Sequence, residues 1–215
     1  MPSKERLLSR KSANQIGKTN SLKPLTSSRW SGRADLVQGD RYDERWEQLA
    51  ESGENIHGEA DFVEAYGPLS VLDAGCGTGR VAMELYRRGI DVVGVDLDER
   101  MLGTARRKAP DLSWVSGDLT TLALGRTFDV AVLAGNVMIF VLPGSEKAVL
   151  SSVTNHLTTN GVLVAGFEIK PDAISLAEYD SVMSEIGMEP MGRWSTWQRD
   201  PYQGQHYAVS AHRRI

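Results

Sequence analysis

A chain of 215 residues, 41% of them hydrophobic, suits one domain with a well-filled core, and no apolar run approaches the roughly 18 residues of a membrane span. Its one cysteine excludes an internal disulfide, and no secretory signal opens the sequence, so a reducing cytoplasm is the expected location. The net charge of −4 combines +7 over residues 1–34, from eight Lys and Arg against Glu5, with −11 over the remainder, and an acidic folded part offers no broad attraction to phosphate backbones.

The basic stretch 1–34 is rich in Ser, Lys, Asn and Thr and poor in apolar residues, so it reads as a disordered tail. A docking arm for RNA or a targeting peptide is its other possible use. Residues 40–52 set Tyr42, Trp46, Leu49 and Ala50 on one helical face, and Gly53 ends that helix. A second short helix carries Phe62, Val63 and Tyr66 before Gly67-Pro68 breaks it. Strand 70–74 then leads through a loop to helix 80–88, which buries Val81, Ala82 and Leu85. Arg87 and Arg88 complement its negative end, and Gly89 supplies a left-handed stop. Strand 91–96 is followed by the acidic helix start Asp98-Glu99-Arg100, with Met101, Leu102 and Ala105 inward and Ala109-Pro110 as the close. Strand 113–116 comes next, then strand 130–134, apolar throughout as a strand buried on both faces should be.

Pro143-Gly144-Ser145-Glu146 opens a helix bearing Val149, Leu150, Val153 and Leu157, and Asn160-Gly161 turns the chain into strand 162–167. Pro171-Asp172 begins a last helix with Leu176, Tyr179, Val182, Met183 and Ile186 packed and Gly187 at its end. Residues 193–198 and 206–212 roughly alternate and predict a closing antiparallel pair. Alternating strands and helices followed by a hairpin give an α/β fold, a doubly wound Rossmann-like sandwich. No internal repeat is present.

The most informative stretch is Val71-Leu72-Asp73-Ala74-Gly75-Cys76-Gly77-Thr78-Gly79-Arg80. Glycines at every second position, between a strand and a helix start, let the loop take positive φ and let a ligand lie against bare backbone. A dinucleotide fingerprint needs its third glycine three residues after the second; that position here is Arg80. Asp73, two residues before the first glycine, is an awkward neighbour for a pyrophosphate and suits an ammonium group. No Gly-Lys-Ser/Thr follows, which excludes a P-loop.

The acidic-x-Gly-x-Gly-x-Gly pattern from Asp73 to Gly79 resembles the first motif of the class I S-adenosylmethionine-dependent methyltransferases. The resemblance continues through Val92-Val93-Gly94-Val95-Asp96, Ser116-Gly117-Asp118-Leu119 and Phe128-Asp129-Val130-Ala131-Val132-Leu133-Ala134-Gly135. It ends near Gly161-Val162-Leu163-Val164-Ala165-Gly166-Phe167-Glu168, so about half the chain is covered. It implies a mostly parallel seven-stranded sheet with an antiparallel last strand, and an N-terminal helical lid over the cofactor. The expected division is therefore a basic tail 1–34, a helical lid 35–68 and a methyltransferase domain 69–215.

The resemblance also implies S-adenosyl-L-methionine as cofactor and a set of residues around it. Ala74, Gly75, Cys76, Gly77 and Gly79 run against its amino acid portion, with Asp73 near the ammonium. Asp96 accepts from the ribose hydroxyls, Leu97 and Met101 border the adenine, and Asp118 accepts from the adenine amino group with Leu119 beside it. Gly135, after strand 130–134, belongs to the same set. Each aspartate also has a plain use as a helix cap or turn former.

Methyl transfer is an in-line displacement at a sulfonium carbon, so the protein mainly aligns the groups. A base is needed only where the nucleophile must lose a proton, and the catalytic residue is left unassigned. Acceptor-side candidates are Tyr42, Trp46, His57, Asn136 and Glu168. His57, Glu168, His206 and Tyr207 are the groups able to act as a base; each serves equally as a surface or packing residue. Cys76 fits the loop as a small buried side chain. Its solitude argues against cytosine C5 methylation, and the lack of a proline pair after Asn136 argues against exocyclic amine methylation of bases. The four histidines are scattered and match no metal site. The expected activity is methylation at O, N or C of a small molecule. A non-catalytic cofactor-binding protein and an RNA methyltransferase are the alternatives, and nucleic acid and membrane are not expected partners.

Overall fold

In the strands of this chain every second apolar side chain turns to the same face, and both faces are covered by helices. The computed structural model describes residues 55–215, together with Gln48, Ser52 and Gly53. The basic stretch 1–34 and, apart from Gln48 and Ser52, the helix expected over 40–52, with Tyr42 and Trp46, lie outside the described residues. Seven strands form one sheet: β1 Ser70–Ala74, β2 Asp91–Asp96, β3 Ser113–Ser116, β4 Phe128–Leu133, β5 Leu157–Glu168, β6 Met188–Trp194 and β7 Tyr207–Arg214. Among the described residues the helices are α1 Gly58–Glu64, α2 Arg80–Arg87, α3 Glu99–Lys108, α4 Val137–Phe140, α5 Glu146–Thr154 and α6 Leu176–Glu185.

The sheet order is β3-β2-β1-β4-β5-β7-β6. β1 pairs in parallel with both β2 and β4, and β7 runs antiparallel to β5 and β6. The fold is thus the expected α/β sandwich with an antiparallel last strand. The chain reverses its direction of winding between β1 and β4, and the crevice there, beyond the carboxyl ends of the strands, is where such sheets take ligands.

Two apolar layers hold the sheet. Leu72, Leu133, Leu163 and Phe167 pack with Met138, Leu150, Val153, Tyr179 and Met183 of α4, α5 and α6. On the other face Val71, Val132, Val164 and Val209 pack with Val81 and Leu85 of α2 and with Ala60, Phe62 and Val63 of α1. Phe62 is buried among Tyr66, Trp194 and Trp197, with ring centroids 5.1 Å from Trp194 and 5.5 Å from Trp197. The guanidinium of Arg199 sits 4.0 Å above the Phe62 ring.

Several expected boundaries move. Leu157, expected in a helix, begins β5 opposite Phe128; the register then shifts before Val130 pairs with Val162. Asn160, at φ +64, absorbs that irregularity. The last helix starts at Leu176 rather than near Pro171, because Ser175 and Glu178 form a capping box that satisfies orphan amides of the first turn. β6 begins at Met188, earlier than 193, since pairing with Arg214 extends it. α1 starts at Gly58 and ends at Glu64, so Tyr66 falls beyond it. The four-residue α4 was not expected; Asn136 at φ +68 turns the chain into it.

Candidate functional site

The glycine loop leaves β1 and is tied to β2. The Gly75 and Cys76 N–H groups both donate to the Val95 carbonyl, at 2.8 and 2.9 Å, and the Gly79 N–H donates to the Cys76 carbonyl at 2.9 Å. The Gly77 N–H donates to Asp96 Oδ2 at 2.7 Å. These amides are spent inside the protein, so the loop offers a ligand shape and close approach more than donors. Gly75, Gly77 and Gly79 have φ of +81, +56 and +86, a region side chains rarely adopt. A Cβ on Gly79 would lie 2.2 Å from the Trp114 ring, and one on Gly75 would lie 2.5 Å from Val137. Trp114, whose Nε1 donates to the Ala109 carbonyl, and Val137 therefore support the loop from behind. Sequence reasoning missed both; the only signal was a large ring in β3 level with glycines in neighbouring segments.

Asp96 ends β2. Its second oxygen, Oδ1, accepts from the Asp98 N–H at 2.8 Å, and burial raises its pKa. Each carboxylate oxygen thus has at least one protein donor, and a carboxylate has room for further ones. Asp98 caps α3 by accepting from the Arg100 N–H, which points the start of that helix at the loop. Met101, buried on α3, has its methyl 3.3 Å from where a Gly77 Cβ would be. Leu97 is 37% exposed, an apolar side chain left uncovered beside Asp96.

Asp118 opens a turn after β3, accepting from the N–H and hydroxyl of Thr120 at 2.8 and 2.7 Å. Leu119 packs against the larger apolar layer, and the Gly117 N–H donates to the Asp96 carbonyl, holding this turn beside β2. Gly135, at φ +66, follows β4, with buried Ala134 before it. Asn136 Oδ1 accepts from the Glu168 N–H at 2.8 Å, bridging the ends of β4 and β5. The Glu168 carboxylate is paired with Lys170 at 2.7 Å.

Asp73 is 1% exposed, and its Oδ2 accepts from the Ala82 N–H in the first turn of α2. Burial pushes its pKa up to about 7, against the pull of Ala82 and Arg80. Burial likewise raises the Cys76 thiol well above its ordinary value, which keeps the nucleophilic thiolate scarce. His57 stands at the start of α1, with Nδ1 3.9 Å from Glu84 Oε2, so it lies against the side of α2. His206 is exposed. The Tyr207 hydroxyl accepts from Trp197 Nε1 at 3.0 Å, and its pKa is raised chiefly by burial. Both side chains lie over Gly166 of β5, where a Cβ would come within 2.3 Å of Trp197 and 2.7 Å of the Tyr207 hydroxyl. Among the described residues, no group of His, Cys, Asp or Glu could hold a metal ion.

The strand ends therefore gather Gly75–Gly79, Asp96, Asp118, Gly135, Asn136 and Glu168 along one edge. A family described as a methyltransferase domain matches residues 71–161, from β1 into β5. The structure of a TehB-like SAM-dependent methyltransferase from Corynebacterium glutamicum is similar over 82% of this chain and 98% of its own, at 32% identity and a TM-score of 0.76. This chain belongs to the S-adenosylmethionine-dependent methyltransferases. Two curated members of that family match shorter stretches. The dTDP-3-amino-3,4,6-trideoxy-alpha-D-glucopyranose N,N-dimethyltransferase of Streptomyces venezuelae is 33% identical over 108 residues, 49% of this chain and 46% of its own. Magnesium-protoporphyrin O-methyltransferase of Rhodobacter capsulatus is 38% identical over 78 residues, 34% of each chain. The methyltransferase likeness to these curated relatives thus spans less than half their length.

The family's cofactor is S-adenosylmethionine, and the residues of this site suit it. Asp96 has two carboxylate oxygens that suit a vicinal diol, Leu97 and Met101 suit the border of a flat ring, and the three glycines of the loop have no side chains to obstruct a close ligand.

Proposed function

We propose that the protein transfers a methyl group from S-adenosylmethionine to O, N or C of a small-molecule acceptor. The observation that carries this reading is the Asp96 carboxylate, held at the end of β2 by Gly77 and Asp98 beside a glycine-rich loop. In this reading Asp96 takes the ribose hydroxyls and Ala74 to Gly79 enclose the amino acid portion. Asp73 lies below it and faces its ammonium, directly or through water. Leu97, Met101 and Leu119 border the adenine, Asp118 takes its amino group, and Gly135 bounds the other side. The sulfonium, when bound, supplies an already activated methyl group. The chain's task is then alignment and exclusion of water.

Asn136, Glu168 and His57 are the described acceptor-side candidates. In this reading Asn136, whose Oδ1 accepts from the Glu168 N–H across the ends of β4 and β5, orients a bound group, and Glu168 supplies a carboxylate beside it. Small acceptors agree with what the similar proteins' names say of those proteins, an aminosugar and a porphyrin. No helix among the described residues is long and apolar enough to cross a membrane, and a reducing cytoplasm suits the lone cysteine. Calorimetry with S-adenosylhomocysteine, with NAD as the comparison, tests the reading. Heat from the first alone is expected; no heat from it would overturn the proposal.

A further inference from the structure

Arg80 occupies the position where a dinucleotide loop has its third glycine, and its side chain crosses to α1. One guanidinium nitrogen donates to Glu59 Oε2 at 2.9 Å and also to the Ile56 carbonyl, while the other donates to Glu59 Oε1. The two side chains are 12% and 9% exposed. Arg80 begins α2 directly after the glycine loop and Glu59 stands in the first turn of α1, so the pair joins the loop to that helix. A second arginine, Arg88 at the C-terminal cap of α2, also holds α1: it meets Asp61 at 2.7 Å and Glu64 at 2.6 Å. Arg80 differs in following Gly79 directly, at the turn whose φ is +86.

A buried guanidinium–carboxylate pair returns little net stability, because desolvating both ions offsets their attraction. What it does supply is position, since a planar fork on a carboxylate fixes distance and angle together. We infer that Arg80 and Glu59 are positioning residues that set α1 against the glycine loop, so that the loop's cofactor-binding shape and the docking of α1 form one coupled unit. This rests on the cofactor reading above. By reciprocity, a cofactor held by the loop tightens the Arg80–Glu59 contact and with it the start of α1, and loss of that contact loosens the cofactor.

The test measures S-adenosylhomocysteine affinity by calorimetry and amide exchange over residues 56–63 with and without that ligand. It uses the full chain, Arg80→Lys, Glu59→Gln, the double variant and, as a comparison, Arg88→Gln. Arg80→Lys and Glu59→Gln are each expected to weaken binding about tenfold and to lose the ligand-induced protection of α1. The double variant should be no weaker than either single one, as for two halves of one contact. Arg88→Gln should lower the melting temperature while keeping affinity. Unchanged affinity in both single variants, or an equal loss in Arg88→Gln, overturns the inference. If Arg80→Lys fails to fold, the isosteric Glu59→Gln decides alone. A wild-type chain that binds no S-adenosylhomocysteine overturns the methyltransferase reading and this inference with it, a result distinct from a defect confined to the variants.

Discussion

Asp96 accepts from Gly77 and Asp98 and, in the proposed reading, also takes the ribose hydroxyls. On that reading Asp96→Ala removes the ligand contact and the tether of the loop together. Affinity for S-adenosylhomocysteine is expected to fall by about 1–3 kcal/mol, the range for lost hydrogen bonds to a polar group; calorimetry reads it. Asp73 adds a pH dependence. Its carboxyl goes from an unfolded value of 3.8 to about 7 on folding, so the folded chain binds the extra proton between those values. That contribution to stability is fully present below about pH 4 and is lost as pH rises through 7. His212 opposes it, since burial lowers its pKa from 6.5 to about 4, and its contribution is lost as pH falls through that window. Asp73→Asn removes only the first effect. Denaturant unfolding at several pH values should show the variant losing stability relative to wild type as pH falls from 7 to 5, with a constant difference between the two well above pH 7. Curves that stay parallel from pH 5 to 8 would show that Asp73 is not a buried titrating group.

The elements around the loop are ordered by contacts of different stiffness, and glycine substitutions separate them. Gly79→Ala drives a methyl into the Trp114 ring at a left-handed φ, so a stability loss of about 1–3 kcal/mol is expected from overpacking. Gly77→Ala meets only the flexible end of Met101 at 3.3 Å; its backbone strain costs about 1 kcal/mol. Urea unfolding should rank the two in that order. At α6, Ser175→Ala removes the hydroxyl that accepts from the Glu178 N–H; loss of such a cap costs about 1 kcal/mol. That change is far enough from the loop in the chain's construction to leave cofactor affinity intact, which the same calorimetry checks.

At the scale of the molecule, the described residues alone cover both faces of the seven-stranded sheet. Deleting residues 1–34 is therefore expected to leave the melting temperature in place. A drop beyond about 4 °C, which corresponds to roughly 1 kcal/mol or more for a domain of this size, would show that the basic stretch contributes to the fold. The antiparallel β7 between β5 and β6 also decides what stands at the end of the site. It sets Tyr207 opposite Glu168 and brings Trp197 down on Gly166.

Local sequence determined most of the elements because their signals are local. The strands 70–74, 91–96 and 113–116, the stop at Gly89 and the acidic start at Asp98 each follow from periodicity, backbone permissiveness or charge within a few residues. The loop from Asp73 to Gly79 and Asp96 at the end of the next strand were legible for the same reason. What the chain order left open came from contacts between distant segments. Leu157 joined β5 because Phe128 pairs with it, β6 lengthened because Arg214 lies alongside, and Trp114 of β3 and Val137 of α4 back the glycines from other elements. Arg80 showed in the sequence only as a missing glycine. Its partner Glu59 lies 21 residues earlier, and a buried ion pair has no periodicity by which one partner could announce the other.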